Sequence, residues 1–230
     1  MKNKSAVKKQ TDTFLPKKRI LIVDDHAIMR EGLCEVIGRE PDLEICGQTG
    51  DAFVALELAA TTKPDLALVD ITIQGKHGLE LIKDLNIQYP EIGILSLSMH
   101  DETLYAERVL RAGGRGYIMK QEGSQRIIEA IRLVLDGKIA VSSKVSEKVL
   151  SLFSGKDTSN SPVERLSDRE LEIFHLIGIG KDNSSIADLM RISPKTVDVH
   201  RAHIKEKLQI ATSSELISYA ARWIETHGVL

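Results

Sequence analysis

The stretch ILIVDDHAIMREGL, residues 20–33, decides the fold of the first half of this 230-residue chain. In it a short apolar run stops on two adjacent carboxylates, Asp24 and Asp25. Three later runs stop in the same way on one polar or charged residue: Leu66 to Val69 on Asp70, Ile92 to Leu97 on Ser98, and Gly116 to Met119 on Lys120. If the four runs are parallel strands of one sheet, these side chains meet at its carboxyl edge, where open α/β sheets bind their ligands.

Short β-branched runs alternate with stretches of helical period from Arg19 to Gly137, a pattern typical of βα units around a parallel sheet. The predicted strands are 19–25, 43–47, 65–70, 92–98 and 115–119. The predicted helices are 27–39, 51–62, 77–88, 101–112 and 123–136. We therefore expect an α/β fold with a doubly wound, five-stranded parallel sheet.

Composition limits the class of protein. The hydrophobic share of 42% and the length predict two domains. A net charge of -2 excludes an overall positive potential that would attract nucleic acid, so any nucleic-acid-binding surface must be local. The two cysteines, Cys34 and Cys46, form no CxxC pair, which favours buried thiols in a reducing compartment. A polar, lysine-rich start and the lack of a long apolar segment predict a cytoplasmic protein that does not use a membrane.

The second half begins after a stretch of turn-forming residues, 154–162, and a predicted helix over 142–153. Capping boxes at Ser167 and Thr212 predict a first and a fourth helix, and Ser193 followed by Pro194 predicts the start of the third. Asn183 is expected to cap the second helix. Four short helices, the second and third joined by a tight turn, indicate a small all-α helix-turn-helix domain. The predicted division is an arm (1–18), an α/β domain (19–137), a linker (138–163) and the helical domain (164–230).

The groups at the predicted sheet edge suit phosphoryl chemistry that depends on Mg²⁺. Asp24 and Asp25 can hold the hard cation, and Asp70 can attack phosphorus once charge is neutralised. Lys120 and Ser98 can contact the oxygens of the resulting acyl phosphate. Each signal alone has an ordinary alternative, since such residues are often helix caps, turn residues or solvated side chains. The coincidence of complementary groups on four strands favours the functional interpretation.

The segments ILIVDDHAIMREGL, PDLALVDITIQGKHGLELI, ILSLSMHDE and RAGGRGYIMK make residues 19–137 resemble the flavodoxin-like receiver domain of two-component response regulators. The resemblance implies that Asp24, Asp25, Asp70 and the backbone carbonyl of Thr72 hold Mg²⁺. It also implies that a sensor histidine kinase phosphorylates Asp70. Ser98 matches the switch hydroxyl, Lys120 the phosphate-contacting lysine and Tyr117 the switch aromatic. For Tyr117, simple packing on the last strand stays an alternative. The chain departs from the usual pattern at Gln74, Gly114 and Gln121, which puts loop stiffness in question.

The predicted third helix, from Ser193 to Leu208, has an inward face of Val197, Ile204 and Leu208. Its outward Val199 and Ala202 suit contact with thymine methyl groups in a major groove. An ordinary amphipathic helix is the alternative, because Asp198 and Glu206 dilute its positive charge. Candidate phosphate contacts from charge and position are Lys195, Thr196, Arg201, Lys205 and Lys207.

Residues 166–208, LSDRELEIFHLIGIGKDNSSIADLMRISPKTVDVHRAHIKEKL, resemble the LuxR-type helix-turn-helix, and the whole chain is similar to NarL/FixJ-type response regulators. The resemblance implies double-stranded DNA as a partner, with Asp198, Val199 and Ala202 facing bases. It places a further set on or beside the backbone: Lys195, Thr196, His200, Arg201, His203 and Lys207. It also implies a homodimer on DNA through the helix 212–223, although that helix's apolar residues could equally be the domain's own core.

Together these features predict a transcriptional regulator, not an enzyme, that is controlled by phosphorylation. In the family that the chain resembles, the unphosphorylated receiver often covers the DNA-reading helix, so phosphorylation would release it, but the sequence leaves open whether the domains are docked at rest. A phosphatase of the haloacid dehalogenase kind is a rival, but it requires Asp-x-Asp where this chain has Asp24, Asp25 and His26. A DNA binder that does not depend on phosphorylation is a second rival.

Overall fold

A computed structural model describes residues 16–73, 76–99, 102–153 and 161–227. Its first half is built on a five-stranded parallel sheet in the order β2-β1-β3-β4-β5. The strands are β1 (Lys18–Val23), β2 (Leu43–Thr49), β3 (Leu66–Val69), β4 (Gly93–Ser98) and β5 (Gly116–Met119). The predicted fold class is confirmed, and the boundaries of the predicted strands are within a few residues of those observed.

Five helices alternate with these strands: α1 (Ala27–Gly38), α2 (Ala52–Thr62), α3 (Gly78–Gln88), α4 (Glu102–Arg111) and α5 (Ser124–Leu135). Because successive strand residues point to opposite faces of the sheet, β1 buries Ile20 and Ile22 on one side and Leu21 and Val23 on the other. Helices α1 and α5 pack on the first side, and α2, α3 and α4 on the second. The sheet is thus covered on both faces, as its nearly continuous apolar strands require.

The chain returns to the sheet after α5 before it leaves the α/β domain. Tyr117 N donates to Ala140 O at 2.8 Å, and Ala140 N donates to Arg115 O at 2.9 Å. A helix, α6 (Ser143–Phe153), then packs against α4, where Lys148 Nζ donates to Thr103 O at 2.7 Å. The helix predicted over 142–153 is confirmed. The predicted domain boundaries stay a prediction, although part of the proposed linker is ordered against the receiver fold.

The second half has a 3₁₀ turn (Pro162–Arg165) followed by α7 (Asp168–Gly178), α8 (Asn183–Met190), α9 (Pro194–Leu208) and α10 (Ser213–His227). The capping box at Ser167 and Glu170 and the cap at Ser193 with Pro194 after it are as predicted. At the fourth helix, Thr212 and Glu215 exchange the expected hydrogen bonds. The 3₁₀ turn was not predicted.

The prediction that Asn183 caps α8 was wrong. Asp182 is the cap, and its Oδ1 accepts from Ser185 N at 2.8 Å. Asn183 is the first helical residue, so its side chain points instead to α9, where Nδ2 donates to Asp198 Oδ1. A carboxylate caps as well as an amide does, and here the amide is used to join two helices.

Two smaller expectations also change. Cys34 and Cys46 are free but half-buried, not buried, because each lies at the border of the core. Within the described residues, none of the helices combines the length and apolar character needed to cross a membrane. Most of the predicted arm and the atypical residue Gln74 fall outside the described residues.

Candidate functional site

Three strand ends bring Asp24, Asp70 and Lys120 into contact at the carboxyl edge of the sheet. The Nζ of Lys120 lies 2.7 Å from Asp24 Oδ2 and 2.7 Å from Asp70 Oδ2. All three side chains are almost fully buried. The contacts join β1, β3 and β5, which the sheet order places close together at this edge. The convergence expected from the sequence is therefore present in the structure.

The environment of the carboxylate of Asp70 shifts its proton equilibrium. Burial raises the pKa of Asp70 to about 6, opposed by the nearby charge of Lys120 and a hydrogen bond from it. Burial alone lowers the pKa of Lys120, but the carboxylates of Asp70 and Asp24 outweigh it and raise this pKa. The ammonium thus stays charged and compensates two buried acids.

Asp25 and His26 complete the acidic pocket at its open side. His26 Nδ1 lies 2.8 Å from Asp25 Oδ1 and 3.4 Å from Asp24 Oδ1. Asp24 Oδ2 and Asp25 Oδ1 are buried and have no hydrogen-bond partner among the described residues, since the contacts they make lack hydrogen-bond geometry. Ligand atoms of Asp24, Asp25, His26 and Asp70 all lie within 4.8 Å of one another. Buried carboxylate oxygens with unused lone pairs fit a divalent cation such as Mg²⁺.

The other predicted receiver residues surround this pocket. Thr72 is exposed, and its backbone N donates to Asp70 Oδ1 at 3.3 Å. Ser98 ends β4 and is fully buried, and its carbonyl accepts from Lys120 N at 2.8 Å. Tyr117, from β5, is buried in the core shared with α2, α3 and α4. Thr72 and Ser98 therefore contact Asp70 and Lys120, whereas Tyr117 lies in the core on the strand that precedes Lys120.

Two structural residues of the pocket were missed from sequence. A Cβ added to Gly78 would lie 2.3 Å from Asp70 O and 2.7 Å from Ile71 Cα. Only glycine therefore fits where the start of α3 approaches the loop after β3. Arg30 NH1 donates to Asp24 O at 2.5 Å and fixes the end of β1. A glycine at the first turn of a helix was a signal available for Gly78. Arg30 reads as an ordinary exposed helix residue.

Helix α9, hereafter the reader helix, has the inward and outward faces that the sequence predicts. Val197 and Ile204 are fully buried and Leu208 nearly so. The exposed residues of the reader helix include Lys195, Asp198, Val199, Ala202, His203 and Glu206, and the half-buried ones are Thr196, His200, Arg201, Lys205 and Lys207. Val199 keeps 48% of its surface exposed, so its side chain is free to contact a ligand on the outer face.

Several of the predicted backbone contacts have partners within the domain. Lys207 Nζ lies 2.6 Å from Glu170 Oε2, and burial of Glu170 is offset by this lysine and by Ser167, which lower its pKa. Arg201 NH1 donates to Asn183 Oδ1 at 3.0 Å, so Asn183 bridges Arg201 and Asp198. These contacts hold the reader helix to α7 and α8, and any DNA contact by them competes with that role.

Some apolar residues of helix α10 pack in the core of the helical domain, and others are exposed. Leu216 and Ala220 are fully buried, and Trp223 packs edge-on against Phe174 of α7 at 5.7 Å between ring centroids. Ile217 is 46% exposed. Most of the residues considered for a partner face therefore form the domain's own core, and Ile217 lies outside it.

The α/β domain contacts α7, the 3₁₀ turn and, through Asp51 and Arg191 at 3.8 Å, the turn before the reader helix, whereas the outer face of the reader helix is exposed. Arg108 of α4 reaches Asp168 at 2.8 Å, and Lys83 of α3 reaches the same carboxylate at 2.9 Å. Arg169 Nε lies 3.0 Å from Glu80 Oε1 of α3. The exposed outer face differs from an arrangement in which the receiver covers the reader helix, because most of the ion-pairing residues are on the amino-terminal end of α7.

Comparison with known proteins gives the same two-part division. Residues 20–132 match the family model described as the response regulator receiver domain. Residues 164–220 match the model described as bacterial regulatory proteins of the luxR family. The oxygen regulatory protein NreC of Staphylococcus aureus is 36% identical over 210 residues, which cover 89% of this chain and 97% of that protein.

Two solved structures are similar. A two-component response regulator of the LuxR family from Aurantimonas sp. SI85-9A1 is 30% identical, with a TM-score of 0.56 over 60% of this chain and 99% of that one. RcsB from Salmonella enterica serovar Typhimurium, bound to promoter P1flhDC in the presence of the phosphomimetic BeF3-, is 20% identical. The superposition covers 90% of this chain and 99% of the RcsB chain, with a TM-score of 0.65, and shows that the two share a fold.

Proposed function

Because this chain belongs to the two-component response regulators of the NarL/FixJ type, we propose that its Asp70 accepts a phosphoryl group from a sensor histidine kinase. As a member of this family it is a phosphorylation-regulated, DNA-binding regulator of transcription, which points away from an enzyme. We place its action in the cytoplasm, where kinase and DNA are both accessible. The observation that carries the assignment of Asp70 is its contact with Lys120 beside a second buried carboxylate, Asp24.

In the transfer, the bond from phosphorus to the kinase's histidine nitrogen breaks and a bond to a carboxylate oxygen of Asp70 forms. The imidazole leaves with the electron pair. Lys120, which already lies 2.7 Å from Asp70 Oδ2, offsets the negative charge of the acyl phosphate. Ser98 supplies a rotatable hydroxyl from the neighbouring strand, β4, to the phosphoryl oxygens. Because Asp70 and Ser98 are buried, bulk water has limited access to the acyl phosphate.

Mg²⁺ fits the same pocket. Asp24, Asp25, Asp70 and the carbonyl of Thr72 would hold it, and the orphaned oxygens of Asp24 and Asp25 support this assignment. When bound, the ion neutralises carboxylate and phosphoryl oxygens so that an anionic nucleophile can approach an anionic donor. The chain's own part is to hold three carboxylates together with one compensating ammonium.

The signal reaches the second domain through α4. Tyr117 packs in the same core as α4, and Ser98 ends the strand that precedes this helix, so a change at the phosphorylated pocket that moves them alters the packing of α4. Arg108 of α4 holds Asp168 of α7, and Lys148 of α6 joins Thr103 of α4 to Glu164 of the 3₁₀ turn at 2.7 and 2.8 Å. Phosphorylation thus shifts a docked population toward a separated one.

The output is binding of double-stranded DNA by the reader helix, with Asp198, Val199 and Ala202 toward the bases. Exposure of Lys195 at the helix N-terminus suits phosphate binding. His200, Lys205 and the other half-buried residues of the predicted set flank it. We further propose a homodimer on DNA that uses the exposed part of α10 around Ile217.

The assignment of Asp70 is tested by labelling the full chain with acetyl phosphate in the presence of Mg²⁺. Asp70→Asn should abolish labelling while the far-ultraviolet spectrum and melting temperature show a folded protein. Asp65→Asn is the matched control, because Asp65 lies at the opposite end of the same strand. Labelling that persists in a folded Asp70→Asn protein contradicts the proposal.

The exposed reader helix favours one second candidate, a regulator that binds DNA without phosphorylation. Footprints of one promoter fragment with and without phosphodonor separate the two. Equal protection in both, with labelling of Asp70 verified, supports the second candidate.

A further inference from the structure

His26 occupies a helix-capping position without acting as a cap. It is the N-cap residue of α1, with extended backbone angles, and its side chain makes no capping hydrogen bond. Serine, threonine, aspartate or asparagine at such a position stabilises a helix by about 1 kcal/mol. The His26 side chain therefore has a role other than capping α1.

The imidazole is turned toward three carboxylates at once. Its Nδ1 lies 2.8 Å from Asp25 Oδ1, 3.4 Å from Asp24 Oδ1 and 4.0 Å from Asp70 Oδ2. Ligands at about 2.1 Å from one octahedral cation are about 3.0 Å apart in adjacent positions and about 4.2 Å apart in opposite ones. The three distances are close to this range, whereas a simple ion pair needs only one close carboxylate.

A second observation points to a ligand in the same place. Asp24 is only 2% exposed, yet its Oδ2 has no hydrogen-bond partner among the described residues. Such an oxygen keeps lone pairs that a metal cation can use. Lys120 supplies charge to it, but not a hydrogen bond of good geometry.

We propose that His26 Nδ1 is a metal ligand and that the pocket therefore binds imidazole-preferring divalent ions of the late first transition row more tightly than Mg²⁺. Mg²⁺ is selected by oxygen ligands, whereas imidazole nitrogen favours ions such as Fe²⁺, Ni²⁺ and Zn²⁺. Asp24, Asp25 and Asp70 supply the oxygens and His26 the nitrogen. The 64% exposure of the His26 side chain leaves its other ring nitrogen able to reach water. The inference rests on the cation site of the proposed function and adds its selectivity.

The test is calorimetric titration of the full-length chain with Mg²⁺ and, separately, with Zn²⁺ at one pH. His26→Asn should weaken Zn²⁺ binding by about 10-fold or more, the loss expected when a nitrogen ligand is removed, and change Mg²⁺ binding by less than about threefold. Asparagine is chosen because it is a good N-cap, so α1 stays folded. His203→Ala is the matched control, since His203 is similarly exposed but lies on the reader helix.

Co²⁺ gives a second measurement that reports the ligand itself. Its visible absorption should shift when His26 is replaced and should disappear in Asp25→Asn, which places the ion in this pocket. Equal loss of Mg²⁺ and Zn²⁺ affinity in His26→Asn, or unchanged Zn²⁺ affinity, overturns the role of His26. Failure of the wild-type chain to bind any divalent ion in this pocket overturns the proposed function's cation site as well, which distinguishes the two failures.

Discussion

The guanidinium of Arg108 and the carboxylate of Asp168 join the two halves of the molecule. The NH1 of Arg108 lies 2.8 Å from Asp168 Oδ1, and its NH2 donates to Glu164 O at 3.1 Å and to Leu166 O at 2.8 Å. One side chain of α4 thus contacts three points around the start of α7. Only 15% of the Arg108 side chain is exposed, so these bonds are poorly screened by solvent.

Arg108→Ala should separate the two domains. It removes three hydrogen bonds and leaves Asp168 with Lys83 alone, a change that typically costs about 2 to 5 kcal/mol at a buried charged contact. Small-angle scattering of the unphosphorylated protein should show a larger radius of gyration. Arg111→Ala is the control, because Arg111 is exposed on the same helix and pairs within it to Glu107. Identical scattering of the Arg108 variant and wild type contradicts the assigned role.

Glu172 should make a contribution to docking that is lost as pH rises. Burial raises the pKa of Glu172 to about 7, with Arg169 opposing the shift and Glu80 of α3 adding to it. The docked state then keeps a proton on Glu172 that the separated domain releases near the ordinary pKa of 4.5. The contribution of Glu172 to docking is therefore greatest at low pH and is lost as pH rises through 7. Glu172→Gln removes this pH-dependent contribution to docking.

Other groups at the contact titrate differently, which makes the comparison of variants necessary. Burial lowers the pKa of His77 from 6.5 to about 3, so protonation of His77 opposes docking as pH falls below 6.5. Burial raises the pKa of Asp168, but hydrogen bonds from Lys83 and Arg108 outweigh it, and the net shift is downward. By scattering, Glu172→Gln should be as compact as wild type at pH 5.5, where Glu172 is protonated, and more compact than wild type at pH 8, with exposed Glu206→Gln as control. An equal change in all three proteins counts against Glu172.

Gly78 should be required for the shape of the phosphorylation pocket. A methyl group there meets the carbonyl oxygen of Asp70 at 2.3 Å, so Gly78→Ala must displace the loop that carries the nucleophile. We expect a loss of about 1 to 3 kcal/mol in the free energy of unfolding and slower labelling by acetyl phosphate.

Gly32 supplies the matched control for that substitution. It lies within α1, and a Cβ there meets no atom within 4 Å. Gly32→Ala should therefore stabilise the protein by about 0.5 to 1 kcal/mol in chemical unfolding. If Gly78→Ala has the same effect as Gly32→Ala on stability and labelling, the close approach of Gly78 to the backbone of Asp70 is not needed for phosphorylation.

The parts that could be predicted from sequence are those that local pattern and sheet topology determine. Parallel strands share one carboxyl edge, so Asp24, Asp70, Ser98 and Lys120 had to converge once the runs were recognised. The capping boxes of α7 and α10 are encoded within four residues. In contrast, the Arg108 contact joins residues 60 positions apart on two domains, and nothing in an amphipathic helix tells which of its charged residues finds a partner.

His26 and Asn183 show a second limit. Both stand where a helix begins, a position that favours capping side chains, and Asn183 was predicted to be such a cap. The structure uses His26 toward carboxylates and Asn183 toward the reader helix. The choice depends on which acidic or basic groups the fold brings within reach, and this is known only after the domains are assembled.

The two ends of the reader helix should respond differently to loss of a lysine. Lys195 is exposed at its start, where amide groups and the helix dipole also attract phosphate. Lys195→Ala should lower DNA affinity and reduce the slope of log K against log salt by about 0.9 for one lost phosphate contact. Binding is followed by fluorescence anisotropy at several salt concentrations.

Lys207, at the other end, should act mainly through stability. Its Nζ lies 2.6 Å from Oε2 of Glu170, a residue that is only 4% exposed, so Lys207→Ala leaves a buried carboxylate without its cation. We expect a lower melting temperature of the helical domain, little change in the salt slope, and recovery of stability in the double variant with Glu170→Gln. A salt slope that falls by the same amount in Lys207→Ala as in Lys195→Ala shows instead that Lys207 leaves Glu170 to bind phosphate.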